Sequence, residues 1–264
     1  MKTKYPERII CLTEETTELI YLLGGGDKIV GISGFTQRPP EARKTKPKIS
    51  TFTDANYKAI KKLEPDYIFA FSDIQAEIVR DLAKLGYQVV LFNQRSVAQI
   101  LQNILIIGSI IGKNEEAEKL LSVYENRLQA FKEESSGMEY HPKVYFEEWY
   151  DPLISGICWV SELIEIAGGT EIFSEFRDKQ SASDRIVKPE EVIKRNPDII
   201  IASWCGKKFK KNKLVERENW NEINAVKNDK IYEIDSTLIL QPGPASLTEG
   251  LDELVKIIRA WHLM

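Results

Sequence analysis

The chain carries one design twice, and this limits its folds more than any other feature. Thr17-Glu18-Leu19-Ile20-Tyr21-Leu22-Leu23-Gly24-Gly25 is echoed by Ser161-Glu162-Leu163-Ile164-Glu165-Ile166-Ala167-Gly168-Gly169. Ile60-Lys61-Lys62-Leu63-Glu64-Pro65-Asp66-Tyr67-Ile68-Phe69-Ala70 is echoed by Val192-Ile193-Lys194-Arg195-Asn196-Pro197-Asp198-Ile199-Ile200-Ile201-Ala202. Both pairs occur in the same order. Each copy reads as an apolar helix stopped by Gly-Gly, then a helix broken by Pro-Asp, then a buried strand. A repeat this long is not a solenoid period and predicts two similar lobes. Two α/β lobes make a cleft, and small ligands favour clefts between domains.

The punctuation predicts the elements. Apolar runs at 9–12, 29–32, 67–71 and 88–92 are expected strands, and 13–23, 57–63 and 75–85 expected helices. The Pro- and Lys-rich stretch 35–52 is expected to be a loop. Short βαβ connections predict parallel sheets. A helix over 96–111 is followed by 115–134, which lacks Gly and Pro and places Ala117, Leu120, Leu121, Tyr124, Leu128 and Phe131 at helical spacing. Twenty helical residues span ~30 Å, enough to join two lobes. The second lobe repeats the order: strand from 143, helix 160–167, helix 189–195, strand 199–203, strand 231–234 and a terminal helix 247–261. The expected fold is therefore α/β, with two Rossmann-like lobes of parallel sheet at 1–112 and 138–264 and a linker helix within 113–137.

Composition removes several classes. A chain of 264 residues with 43% hydrophobic and 29% charged residues has the balance of a globular protein. A net charge of −4 argues against nucleic acid as a partner. Its exception, Lys207-Lys208-Phe209-Lys210-Lys211-Asn212-Lys213, reads as a solvated loop. The N-terminal residues carry no long apolar core and no lipid-attachment cysteine. The expected location is the cytoplasm, or the periplasm or cell surface if a leader was removed. Cys11, Cys158 and Cys205 form neither a metal-ligand spacing nor a disulfide framework. Either of the last two would coordinate a metal only if it faced the site. There is no G-x-S-x-G, phosphate loop or His cluster, so no enzyme is expected.

In open α/β sheets ligands lie beyond the carboxyl ends of the strands. The loops expected there are rich in aromatics: Phe35, Phe52 and Phe71 in the first lobe, and Trp149, Tyr150, Trp159 and Trp204 in the second. Phe71 and Trp204 stand out because each follows a repeated strand. Such side chains give flat contact area with a polar handle on Trp and Tyr. A packing role competes at each position.

Together these segments resemble the helical-backbone class of substrate-binding proteins of ABC importers, which bind vitamin B12, ferric siderophores or haem. The resemblance covers nearly the whole chain. Ile9-Ile10-Cys11-Leu12-Thr13, Ser50-Thr51-Phe52, Leu63 to Ala70, Ile157 to Gly169 and Pro242-Gly243-Pro244 look like the cobalamin-binding branch. Two positions depart from it: Ala245 stands where relatives often carry arginine, and Phe71 where the bacterial vitamin B12 binder has tryptophan. The resemblance implies a corrinoid as ligand, no intrinsic cofactor, a monomer, and docking on an ABC permease. Docking would use a carboxylate on each lobe: Glu77 in the first, and Glu216 or Glu218 in the second. A ferric siderophore or haem is the alternative ligand, and a cytosolic corrinoid carrier the alternative role.

Overall fold

The computed structural model describes residues 5–262. The chain divides into two compact units. One runs to Gln94 and adds Ala98–Val123; the other comprises Arg95–Val97 and everything from Tyr124 onward. The division falls inside the helix Asn114–Ser136, which contributes to both. Arg95–Val97 belongs with the second unit, where the Val97 amide donates to the Glu162 carboxylate at 2.6 Å.

The first unit holds five parallel strands: β1 Ile9–Cys11, β2 Ile29–Ser33, β3 Lys48–Ser50, β4 Tyr67–Phe71 and β5 Val89–Phe92, in the order β3-β2-β1-β4-β5. Ile10, Ile68 and Ala70 pack beneath Ile60 of the helix Tyr57–Leu63 and Ile78 and Leu82 of the helix Ala76–Lys84. The stretch 35–52, expected as a loop, contains the short helix Pro40–Thr45 and β3. At three residues and carrying Lys48, β3 is too short and too polar to show a periodicity.

The second unit contains β6 Lys143–Tyr150, β7 Leu153–Ser155, β8 Thr170–Glu171, β9 Ile199–Ala202 and β10 Ile231–Glu233. Its order is β10-β9-β6-β7, with β8 also on β6. The sheet is parallel except for β7, which runs antiparallel to β6. This hairpin was not expected. It lengthens β6 to Tyr150, and the register slips between Glu147 and Trp149. Its core gathers Tyr145, Ile200, Ala202, Leu214 and Trp220. The terminal helix begins as a π-turn, Ser246–Gly250, before the α-helix Leu251–His262. A Cβ on Gly250 would lie 2.5 Å from the Leu238 carbonyl oxygen, so only glycine fits there.

The repeated Pro-Asp corner has the same job in both units. Each preceding helix ends on a left-handed residue, Glu64 (φ 46°) and Asn196 (φ 47°). The aspartate that follows then grips the entry of the central strand. The Asp66 carboxylate accepts from the Glu7 and Arg8 amides at 2.8 and 2.9 Å, and the Asp66 amide donates to the Arg8 carbonyl at 2.8 Å. The Asp198 carboxylate accepts from the Lys143 amide at 2.9 Å, and the Asp198 amide donates to the Lys143 carbonyl at 2.8 Å. Backbone donors that precede the strand ladder are satisfied in this way.

Candidate functional site

Within the second unit the carboxyl end of the sheet carries a wall of aromatic side chains. In a regular strand Trp149 and Tyr150 would point to opposite faces. Both lie beyond the register slip that follows Glu147, at the end of the strand, and their ring centroids are nevertheless 5.0 Å apart. Tyr150 packs against Trp204 at 4.4 Å, and Trp204 meets Phe209 edge-on at 5.0 Å. Trp204 follows β9 by two residues and is 4% exposed. Its indole donates to the Glu147 carboxylate at 3.0 Å. That carboxylate is wholly buried and takes both guanidinium nitrogens of Arg217, at 2.6 and 2.9 Å. The pair therefore fixes the orientation of Trp204.

Three hollows open beside this wall. One of about 560 Å³ is lined by Tyr150, Pro152, Val187, Ile193 and Arg217. One of about 580 Å³ is lined by Trp204, Lys207, Lys208, Glu233 and Asp235. The third, about 270 Å³, is lined by Tyr150, Trp204, Lys207, Lys208, Lys210 and Lys213. Tyr150, Trp204, Lys207 and Lys208 each line two of them.

In the first unit, Phe35 and Phe52 stack at 4.7 Å with 15° between their planes. Register explains this: Ser33 of β2 pairs with Ser50 of β3, and each phenylalanine lies two residues further on. Phe35 is exposed and Phe52 half-buried. Phe71 is the half-buried last residue of β4, followed by Ser72 at a positive φ of 63°. Close by in sequence, the helix Glu14–Leu22 begins with buried carboxylates. Burial pushes Glu14 up to about 8 and Glu15 up to about 7, against weaker opposition from a Gln37 backbone hydrogen bond to Glu14 and the Thr13 hydroxyl on Glu15. The Thr13 hydroxyl donates to Glu15 at 2.6 Å, and Arg38 pairs with Glu18 at 2.7 Å.

Two expectations are corrected. Trp159 is not on a loop. The helix Cys158–Ile166 starts two residues earlier than its pattern implied, and Trp159 is 3% exposed with its indole bonded to the Ile239 carbonyl at 2.9 Å. It supports the core rather than offering a ring face. Cys158 also lies in this helix, half-buried, with burial pushing its thiol up to about 11, so it stays protonated near neutrality. Cys205 is exposed, and the described residues hold no group of three or more His, Cys, Asp or Glu arranged for a metal. Of the carboxylates assigned to docking, Glu77 is exposed and paired with Arg80. Glu216 and Glu218 are exposed on either side of Arg217. No helix among the described residues is long and apolar enough to cross a membrane. The N-terminal residues 1–4 lie outside the described residues.

Sequence reasoning missed Phe209, the Glu147–Arg217 pair and the lysines. The lysine run lies within ten residues of Trp204, and that proximity was the available signal.

The periplasmic binding protein family matches residues 9–238. The chain belongs to that family. It is 28% identical over 97% of its length to the uncharacterized ABC transporter substrate-binding lipoprotein YvrC of Bacillus subtilis, covering 81% of that protein. It is 26% identical to the vitamin B12-binding protein of Vibrio cholerae, covering 91% of this chain and 85% of that one. A Staphylococcus epidermidis structure described as a possible iron-binding (periplasmic solute-binding) protein superposes with a TM-score of 0.82 at 25% identity, covering 97% and 99% of the two chains. The absence of an enzyme constellation accords with a family of binding proteins, in which the bound molecule is cargo rather than cofactor.

Proposed function

We propose that this periplasmic binding protein family member captures a corrinoid outside the cytoplasm and delivers it to an ABC permease. The observation that carries the reading is the wall of Trp149, Tyr150 and Trp204, held from behind by Glu147 and Arg217. A corrin is a large, mostly apolar disc edged with amides. Aromatic faces cover such a disc at low entropic cost, and the Tyr150 hydroxyl suits its edge, while the Trp204 and Trp149 indole N–H groups donate to Glu147 and the Asp151 carbonyl and hold the rings in place. The V. cholerae relative, named for vitamin B12, supports the same ligand. The alternative cargo is haem or a ferric siderophore, favoured by the lysines beside the wall and by the S. epidermidis neighbour.

Trp204 is too buried for a clean test, because its removal leaves a cavity. Tyr150 is half-buried and stacks on Trp204. Ring contacts contribute ~0.5–1.5 kcal/mol beyond area burial, so Tyr150→Ala should weaken cobalamin binding about tenfold or more with little change in melting temperature. Calorimetry and visible spectra with cobalamin, haemin and a ferric siderophore decide the cargo. Clear haem or siderophore binding with no corrinoid binding would overturn the assignment.

Docking on the permease is assigned to Glu77 and to a second-unit carboxylate at Glu216 or Glu218. Exposed ion pairs contribute only ~0–1 kcal/mol, but they orient encounter. Glu77→Lys should slow uptake in cells strongly while leaving ligand affinity unchanged. Unchanged uptake would remove Glu77 from the interface, and cell fractionation tests the location directly.

A further inference from the structure

The loop after β9 is built to face outward with charge. Phe209 anchors it: the ring packs edge-on to Trp204, and its amide donates to Glu233 at 3.0 Å. With Phe209 buried, Lys207, Lys208 and Lys210 on either side are exposed, and Lys213 follows from the helix Lys211–Val215. Two of these ammoniums lie on the aromatic wall itself. Lys207 Nζ is 4.9 Å from the Trp149 ring centroid, 5.5 Å from that of Tyr150 and 3.2 Å from the Tyr150 hydroxyl. Lys213 Nζ is 4.8 Å from the Tyr150 centroid. Among the described residues none of these four lysines forms an ion pair, although Lys211 beside them pairs with Asp229.

The 270 Å³ hollow is thus lined by four lysines and two aromatic rings, with no carboxylate in its lining. Like charges gathered without a counter-ion repel, and a ring face compensates a cation only weakly. Glu233 and Asp235 line the neighbouring hollow, where Glu233 is engaged by the Phe209 amide and Asp235 by Thr237.

We infer that this hollow is an oxyanion subsite, selecting ligands whose flat ring body carries a phosphate or carboxylate at its edge. Lysine stems are long and flexible and their heads are compact point charges. A ring laid on Tyr150 displaces the ammoniums sideways, where they meet an anionic edge group. The shared chemistry is an oxyanion on a macrocycle. It arises from the phosphodiester of a complete cobalamin or from the carboxylates of haem. The inference rests on the ligand reading above only in placing the ring on this wall.

The test compares the wild type with K207Q/K208Q/K210Q/K213Q and with a charge-matched control, K58Q/K61Q/K62Q/K84Q, whose lysines are exposed in the first unit. Cobalamin is paired with cobinamide, which lacks the phosphodiester, and haemin with its dimethyl ester. Pyrenetetrasulfonate, a flat polyanion, is titrated by tryptophan fluorescence whatever the natural cargo. For the wild type and the control, the polyanion should bind, and whichever oxyanion-bearing ligand binds should exceed its partner lacking the oxyanion at least tenfold. They should also weaken about tenfold between 20 and 200 mM salt, as screening requires. The loop variant should lose both effects. Cobalamin and cobinamide binding equally, with no salt dependence and no loss in the loop variant, would overturn the subsite and leave the corrinoid reading standing. Haemin binding that depends on the loop lysines, with no corrinoid binding, would support the subsite and overturn the corrinoid reading. Absence of pyrenetetrasulfonate binding, or equal binding by the loop variant, overturns the subsite outright.

Discussion

Replacing Glu147 by alanine should cost about 3–5 kcal/mol, because it strands one buried partner and unpairs another. Glu147 is wholly buried, the Arg217 guanidinium chelates it, and the Trp204 indole donates to it. Without the carboxylate, Arg217 keeps its charge beside Trp220, with its guanidinium carbon 4.3 Å from the ring centroid, in a pocket that no longer neutralises it. At ~2–4 °C per kcal/mol for a chain of this size, the melting temperature of the second unit should fall by about 10 °C. The double substitution Glu147→Leu with Arg217→Met removes both charges and should recover most of the loss, since an apolar pair of similar volume often replaces a buried ion pair without penalty. Calorimetry on the three proteins decides it. A shift under about 2 °C for Glu147→Ala would mean that water reaches the pair.

Acidification from pH 8.5 to pH 5 should raise the melting temperature, opposite to the usual behaviour of proteins rich in paired carboxylates. Burial pushes Glu14 up to about 8, and Glu15 and Glu171 up to about 7. In the unfolded chain all three titrate near 4.5. Between that value and the raised ones the folded protein binds more protons, so unfolding free energy falls as pH rises through the window. The contribution is fully present below about pH 4.5 and lost above about pH 8. Glu116 and Glu175 are shifted the other way, chiefly by Lys113 and Arg195, but their effect appears only below the ordinary carboxylate range. The three raised carboxyls together contribute on the order of a few kcal/mol. The midpoint should be at least about 5 °C higher at pH 5, and Glu14→Gln should flatten the dependence. A midpoint that climbs with pH across this window would refute the account.

Much of this architecture was legible because it rests on backbone rules. Pro-Asp after a helix and an apolar run such as Ile199–Ala202 leave few choices, and they placed β4 and β9 directly. What escaped notice depends on partners distant in sequence. β3 and β7 are three residues each and exist because a neighbouring strand offers an edge. Trp159 was expected on a loop, yet Ile157 is an extended cap and the helix begins at once. The stacking of Phe35 on Phe52 follows from the pairing of β2 with the unforeseen β3. The lysine run looked like an ordinary solvated surface because charge in a sequence does not reveal what it faces. Here it faces Trp149 and Tyr150 at the end of β6, more than fifty residues away in sequence.

Each half serves as an internal control for its twin. Where both copies keep a residue, as at Pro65 and Pro197 or Asp66 and Asp198, the shared geometry of the corner supplies the reason. Where they diverge, each answer is specific to its surroundings. At the left-handed position one half uses Asn196, whose side-chain oxygen also receives the Asn224 amide at 2.8 Å. The other uses Glu64, whose carbonyl instead receives Arg8 at 3.1 Å. The polypeptide is thus a record of two independent solutions to one folding problem. Comparing them separates what the turn demands from what each neighbourhood permits.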